Sequence, residues 1–344
     1  MDLINLKRGS ILLLLVFLFI ACEQQREPKQ YPLHYSDAIF GTSFTIKASL
    51  IPRTLKTNEL RVQIKQLLDK LNGQMSTYQQ DSELSKINAN ESSEWLTVST
   101  DLYSVLKQAN EISVLSNGAF DVTIGPLVNL WGFGPDPMSF VVPEKSLIDT
   151  QLKTTGYKKI LFDDKTNKIK KLSPDIYIDL SAIAKGYAVD QVGLLLEKQG
   201  ISNYMVEIGG ELRLKGKNIS NEPWRIVVEK PIIEMGVIQK VLPLSNISVA
   251  TSGDYRNFFE SGGVRFSHTI DPRFGQPIKH KLASITILSD TTMKADALAT
   301  ALMVLGAEEG YKIAEQEKIA ALFIIKTEDA FKEKATPVFL NTLR

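Results

Sequence analysis

Asp296 is the residue whose setting most needs a chemical explanation. It stands in Met293-Lys294-Ala295-Asp296-Ala297-Leu298-Ala299-Thr300-Ala301-Leu302-Met303, a run of small and apolar residues. Such a run must be largely buried, and a buried carboxylate needs a partner or a cation. Thr300 follows one helical turn later, so both oxygens face the same side. One reading is a local Asp–Thr pair, because helical threonines often bond back to the backbone. The other is a metal. Two hard oxygens, small neighbours that admit another backbone and no nearby nitrogen or sulfur suit magnesium, which usually keeps positions for water and substrate phosphate.

Three further segments have the residue types of a site. In Asp179-Leu180-Ser181-Ala182-Ile183-Ala184-Lys185-Gly186 an apolar strand runs into a helix with Ser181 as its cap. Helix N-termini attract phosphate, and a lysine there does nothing for the helix dipole, so Lys185 is either a ligand-binding cation or a solvated surface residue. Gly118-Ala119-Phe120-Asp121 is a tight turn, shaped for a ligand or purely structural. Ser267-His268-Thr269-Ile270-Asp271-Pro272 puts a histidine at a strand end, where it is placed as a general base near neutral pH or as an ordinary structural residue. His34 and His280 lack such a setting.

These segments need a scaffold to bring them together. Helical spacing runs through Leu60, Ile64, Leu67, Leu68 and Leu71 up to Asn72-Gly73, and again over 101–116 behind Thr100 as cap. A helix is expected from Ser181 to Gly200, another over 291–305, and a short one over 308–316. Strand character marks residues 44–48, 176–180, 204–208, 224–229, 247–250, 264–270, 282–288, 320–325 and 336–340, and 132–143 reads as a loop. Strands and helices do not alternate strictly, so the expected class is α+β. Neither G-x-G-x-x-G nor G-x-x-x-x-G-K-[ST] is present, which removes both common nucleotide-binding loops.

Composition narrows the partners. Lys+Arg total 40 against 39 for Asp+Glu, so the electrostatic footprint of a nucleic-acid binder is missing. One cysteine and three histidines exclude an intramolecular disulfide and argue against a zinc cage. The cysteine's position is informative: Lys7 and Arg8 precede an apolar run over 11–21, which Cys22 follows at once. The run is too short to span a bilayer, which takes about 20 residues. It resembles a bacterial lipoprotein signal, with residues 1–21 removed, Cys22 lipidated, 22–36 a polar tether and 37–344 the folded domain. That implies a cell-envelope location, anchored to a membrane and facing the periplasm.

Taken in order, Phe40-Gly41-Thr42, Ser76-Thr77-Tyr78, Gly118-Ala119-Phe120-Asp121, Gly125-Pro126-Leu127, the Asp179 segment, Glu207-Ile208-Gly209-Gly210-Glu211, Ala250-Thr251-Ser252-Gly253-Asp254-Tyr255-Arg256, the His268 segment and Ala295-Asp296-Ala297-Leu298-Ala299-Thr300 resemble the ApbE family of flavin transferases. The resemblance implies a T-fold-like core with FAD in a cleft. Magnesium would be held by Asp296, Thr300 and the main-chain carbonyl of Ala182. FAD would be contacted by Phe40, Tyr78, Ala119, Phe120, Asp121, Asp179, Lys185 and Ile270, with Phe40 standing where the family usually has methionine. The implied reaction moves the FMN part of FAD to a threonine hydroxyl of a target protein, such as a subunit of a membrane redox complex, and releases AMP, with His268 as the base. Alternatives at the same site are a magnesium-dependent FAD pyrophosphatase and a non-catalytic FAD-binding lipoprotein.

Overall fold

The computed structural model describes residues 31–134, 141–234, 236–255 and 257–343. Its centre is one sheet of eight strands: β1 (Leu33–Ile39), β2 (Thr42–Leu50), β3 (Asn203–Ile208), β4 (Glu211–Lys215), β5 (Ile247–Gly253), β6 (Leu282–Ser289), β7 (Ala320–Lys326) and β8 (Phe331–Ala335). Spatial order follows chain order, and every neighbouring pair is antiparallel. Four long helices, α1 (Thr57–Met75), α2 (Thr100–Leu115), α3 (Ala184–Lys198) and α4 (Thr292–Gln316), enclose the main core against one face. The opposite face carries a second core under the hairpin of Trp224–Glu229 and Ile238–Leu244 and the last helix, Pro337–Thr342. The fold is α+β, as the irregular alternation of elements implies.

Burial on both faces explains the unbroken apolar run in β7. Ala321 and Phe323 enter the main core while Ala320, Leu322 and Ile324 enter the second, so successive side chains alternate faces without alternating polarity. Among the described residues no helix is long and apolar enough to cross a membrane. Cys22 and the signal stretch lie outside the described residues, as does the 135–140 part of the expected loop.

Several elements depart from the sequence expectation, each for a local reason. Strand β1 starts four residues inside the expected tether: Leu33 is fully buried and the strand pairs with β2 from Leu33↔Ala48 onward. The expected strand over 336–340 is a helix: Thr336 Oγ1 accepts the Phe339 N–H (3.4 Å) as N-cap and Pro337 fills the first position. The strand is instead the charged segment β8, at the sheet edge. Residues 176–180 join no ladder. Helix α3 starts at Ala184, not Ser181, because the Ser181 hydroxyl is bonded to Asp179. Ser99, not Thr100, caps α2. Helix α1 runs through Asn72-Gly73 to Met75, and α4 unites both expected helices across a break at Gly306 (φ 78°, ψ −174°). The expected 264–270 strand divides into Val264–Ser267 and Ile270–Asp271.

The site depends on how α3 meets α4. A Cβ on Gly186 would lie 2.5 Å from the Thr292 carbonyl oxygen and 2.8 Å from the Met293 Cα, so only glycine allows this approach. Asp190, further along α3, accepts the N–H groups of Thr292 (3.0 Å) and Met293 (2.9 Å) and so caps α4 from its neighbour. Arg213 on β4 holds Asp190 in place at 2.9 Å.

Candidate active site

With the two helices so close, Asp296 on α4 reaches across to α3. Its Oδ2 accepts the Gly186 N–H at 3.0 Å. In a regular helix that amide would bond to the carbonyl four residues back, that of Ala182. Lys185 lies beside it, with Nζ 4.0 Å from Asp296 Oδ2, 3.6 Å from Glu211 Oε1 and donating to the Ser181 carbonyl at 3.1 Å. Burial alone would pull the Lys185 ammonium down, but Asp296 and Glu211 outweigh it and hold it above the usual lysine range. Burial pushes the Asp296 carboxyl up, opposed by Lys185 and the Gly186 amide. Burial likewise pushes Glu211 up to about 8, with Lys185 opposing and Asp296 adding to the rise.

Two buried carboxylates therefore share one ammonium, and Glu211 Oε2 is buried with no hydrogen-bond partner among the described residues. Charges in such a place need compensation, and Glu211 obtains it either by keeping its proton or from a further cation that displaces that proton. Among the described residues no three His, Cys, Asp or Glu side chains converge as a metal cage. Thr300, one helical turn from Asp296, has its Oγ1 3.4 Å from Ser252 Oγ, and Ala182 lines the same cleft. A hard cation that completes its shell with water and phosphate fits such a set.

His268 lines the same cleft. Its ring Nδ1 is 2.9 Å from the Asn257 carbonyl oxygen. A carbonyl only accepts, so Nδ1 carries the hydrogen and the neutral ring keeps its lone pair on Nε2. Burial lowers the His268 pKa, against the Asn257 bond and the nearby Asp254 carboxylate, and so favours the neutral ring. The Ala119–Phe120 turn is shaped by Asp121, which accepts the Thr123 N–H (2.8 Å), the Thr123 hydroxyl (2.6 Å) and the Tyr157 N–H (2.7 Å). Both Asp121 oxygens thus serve protein donors, and its side chain acts by fixing the turn.

The structure brings most of the sequence-derived site into one cleft of about 420 Å³, lined by Tyr78, Ala119, Phe120, Asp121, Asp179, Ala182, Lys185, His268, Ile270, Asp296 and Thr300. Phe40 lines a second cleft of about 660 Å³, which shares Tyr78, Asp179, Ser181 and Lys185 with the first. Tyr78, 72% exposed, stands at the join. Phe40 and Gly41 form the β1–β2 turn with φ of 54° and 72°. The sequence assigned no role to Glu211 or Asn257. For Glu211 a signal existed in the Gly209-Gly210 turn before it, where a Cβ on Gly209 would stand 3.0 Å from Thr42 Cγ2 and 3.3 Å from Lys185 Cδ, so the glycine lets that turn lie close to the lysine.

Comparison with known proteins agrees with this architecture. The ApbE family model matches residues 40–323. The FAD:protein FMN transferase of Vibrio cholerae is 45% identical over 324 residues, covering 94% of this chain and 95% of the relative. That of Escherichia coli K12 is 35% identical over 345 residues, covering 99% and 98%. The crystal structure of the flavin transferase ApbE from Vibrio cholerae superposes with a TM-score of 0.85 at 45% identity, over 91% of this chain and 99% of that one. The apo flavinyl transferase ApbE of Pseudomonas stutzeri gives 0.83 at 36% identity, over 90% and 96%. Matched from the Phe40 turn to β7 by the family model, and over nearly its whole length by these relatives, this chain belongs to the ApbE family.

Proposed function

We propose that this chain, an FAD:protein FMN transferase by its family, uses magnesium to move FMN from FAD to a threonine hydroxyl of an acceptor protein and releases AMP. The observation that carries the reading is the cluster of Lys185, Glu211 and Asp296 in the same cleft as His268, with Lys185 also lining the second cleft. FAD has two ring systems joined through a pyrophosphate, and two adjoining clefts with the charged cluster between them suit that shape. Asp296, Thr300 and the Ala182 carbonyl would hold the magnesium ion, which supplies charge neutralisation at the pyrophosphate when bound.

The chain's own groups supply the rest. Lys185, kept protonated by its two carboxylate neighbours, attracts and orients the pyrophosphate oxygens. Phe120 and Ile270 provide apolar surface for the flavin, and Tyr78 closes over the join. The acceptor hydroxyl attacks the phosphorus of the FMN half. A new P–O bond forms as the bond from that phosphorus to the bridging oxygen breaks, and AMP leaves with the bridging oxygen. The hydroxyl proton passes to His268 Nε2, while Asn257 keeps Nδ1 as the donor and so keeps the acceptor nitrogen available.

The test is intact-mass measurement of a threonine-bearing redox protein incubated with this enzyme, FAD and magnesium. One FMN should be added per acceptor, with AMP in equal amount. AMP and free FMN accumulating equally fast with or without acceptor would make the protein a pyrophosphatase. In the same reading Cys22 is lipidated and holds the enzyme at a membrane of the cell envelope, facing the periplasm, where subunits of membrane redox complexes are the acceptors. Cys22→Ser should then release the protein from the membrane fraction, and unchanged attachment and processing would count against the anchor.

A further inference from the structure

We propose that Asn88 and Lys171 are positioning residues, a clamp that sets the register of the 174–180 segment and thereby delivers Asp179 and Ala182 to the cleft. The inference rests on the reading that those two residues contact FAD and its metal. The segment belongs to no sheet, yet it is held as a strand would be. Asn88, at the end of the helix Glu83–Asn88, accepts the Ile178 N–H on Oδ1 (2.8 Å) and donates from Nδ2 to the Ile178 carbonyl (2.9 Å). One side-chain amide does the work of a neighbouring strand's peptide group. Lys171, with 0% exposure, donates from Nζ to the Asn88 carbonyl (3.2 Å) and the Pro174 carbonyl (2.9 Å). At the other end the Asp179 N–H meets the Val122 carbonyl at 2.7 Å, tying the segment to the turn that carries Phe120.

Directional bonds are needed here because apolar packing cannot supply register. Ile176, Ile178 and Leu180 are all buried in the main core, and burial is non-directional. A slip of one residue would exchange the two faces of an extended segment, turning Asp179 into the core and an isoleucine into the cleft. The paired bonds to Ile178 oppose that slip at the residue next to Asp179. Lys171 explains why Asn88 itself stays put. A buried ammonium is costly unless its hydrogens are used, and here two of them join the Asn88 main chain to the start of the segment.

The experiment uses the full chain with Asn88→Asp, which keeps the acceptor for Ile178 but loses the donor, and Lys171→Met, which keeps bulk and loses both bonds. Thr336→Val serves as control, because Thr336 is a fully buried cap in the other core. FAD Kd is read by flavin fluorescence, KM and kcat from transfer to the acceptor, and stability by thermal melting. Each clamp variant should raise FAD Kd and KM by about tenfold, the scale of one lost buried hydrogen bond, with a smaller change in kcat. Thr336→Val should lose stability with FAD Kd unchanged. Clamp variants that melt lower but keep FAD Kd and KM within twofold of wild type would overturn the proposal. Wild-type protein that binds FAD but transfers nothing would instead overturn the transferase reading, and the Kd comparison would still decide on the clamp.

Discussion

Replacing Gly186 by alanine tests the central claim that the site depends on backbone contact between α3 and α4. The added Cβ would sit 2.5 Å from the Thr292 oxygen and 2.8 Å from both the Thr292 carbonyl carbon and the Met293 Cα. All three are backbone atoms, so no side-chain rotation relieves the clash. Reaching even a close contact of about 3 Å requires the two helices to separate by roughly 0.5 Å, and overpacking of this kind costs about 1–3 kcal/mol. The same movement lengthens the Gly186 N–H to Asp296 bond from 3.0 Å toward the limit of a hydrogen bond. Because Asp190 also ties α3 to the first amides of α4, the strain falls on the turn that carries Asp296. Gly186→Ala should therefore melt several degrees lower and lose about tenfold or more in FMN transfer, since displacements of this size at a catalytic group are expensive. Thermal melting and an acceptor-flavinylation assay at saturating FAD read the two effects separately. A variant that melts within a degree of wild type and transfers FMN at the same rate would refute the argument.

Three other substitutions test individual roles. Asp296→Asn keeps size and an acceptor for the Gly186 amide, so stability should change by less than about 1 kcal/mol while transfer falls by about a hundredfold or more, checked by melting and magnesium-dependent turnover. Glu211 has its pKa raised from 4.5 to about 8, so between those values the folded state binds the extra proton and metal-free stability falls as pH rises. Glu211→Gln should flatten that slope in denaturant melts taken from pH 5 to 8, and parallel slopes would contradict the assignment. His268→Ala should abolish transfer with FAD binding nearly intact. In the wild type, transfer should fall on acidification below the ordinary histidine range, because burial lowers the His268 pKa, and a pH–rate profile with no acid limb would remove it as base.

How far the site could be read from sequence depended on whether a residue violated its local pattern. Asp296 was legible because a charge inside an apolar helix breaks the rule that governs its neighbours. His268 and Lys185 stood at element ends, where side chains face clefts. Asn88 and Lys171 gave no such signal. Each sits among ordinary polar residues, and the partner of Asn88 lies 90 positions away, so its role exists only after the chain has folded. The same limit explains two errors in the elements. The segment 176–180 has the composition of a strand because it is buried like one, but a side chain replaces the neighbouring strand. In 331–340 the charged half forms the strand, since an edge position tolerates charge, while a threonine cap and a proline turn the apolar half into a helix.

What the sequence could not convey is the division of labour between the carboxylates. Asp121, Asp190, Glu211 and Asp296 are all buried, and although Asp296 stands out in its apolar helix, the other three also have apolar or glycine neighbours and are not told apart by composition. Their partners separate them. Asp121 is saturated by Thr123 and Tyr157, and Asp190 by Arg213 and two helix amides. Both are therefore fixed parts of the frame. Asp296 has one amide and a lysine at 4.0 Å, and Glu211 retains an oxygen with no partner. A carboxylate whose bonds are complete has nothing left for a ligand, whereas an incomplete one is held in the core by a proton or by something outside the chain that completes it. The incomplete pair meets at Lys185, one of the residues shared by both clefts, and a cation with the pyrophosphate it neutralises would satisfy there what the fold leaves open.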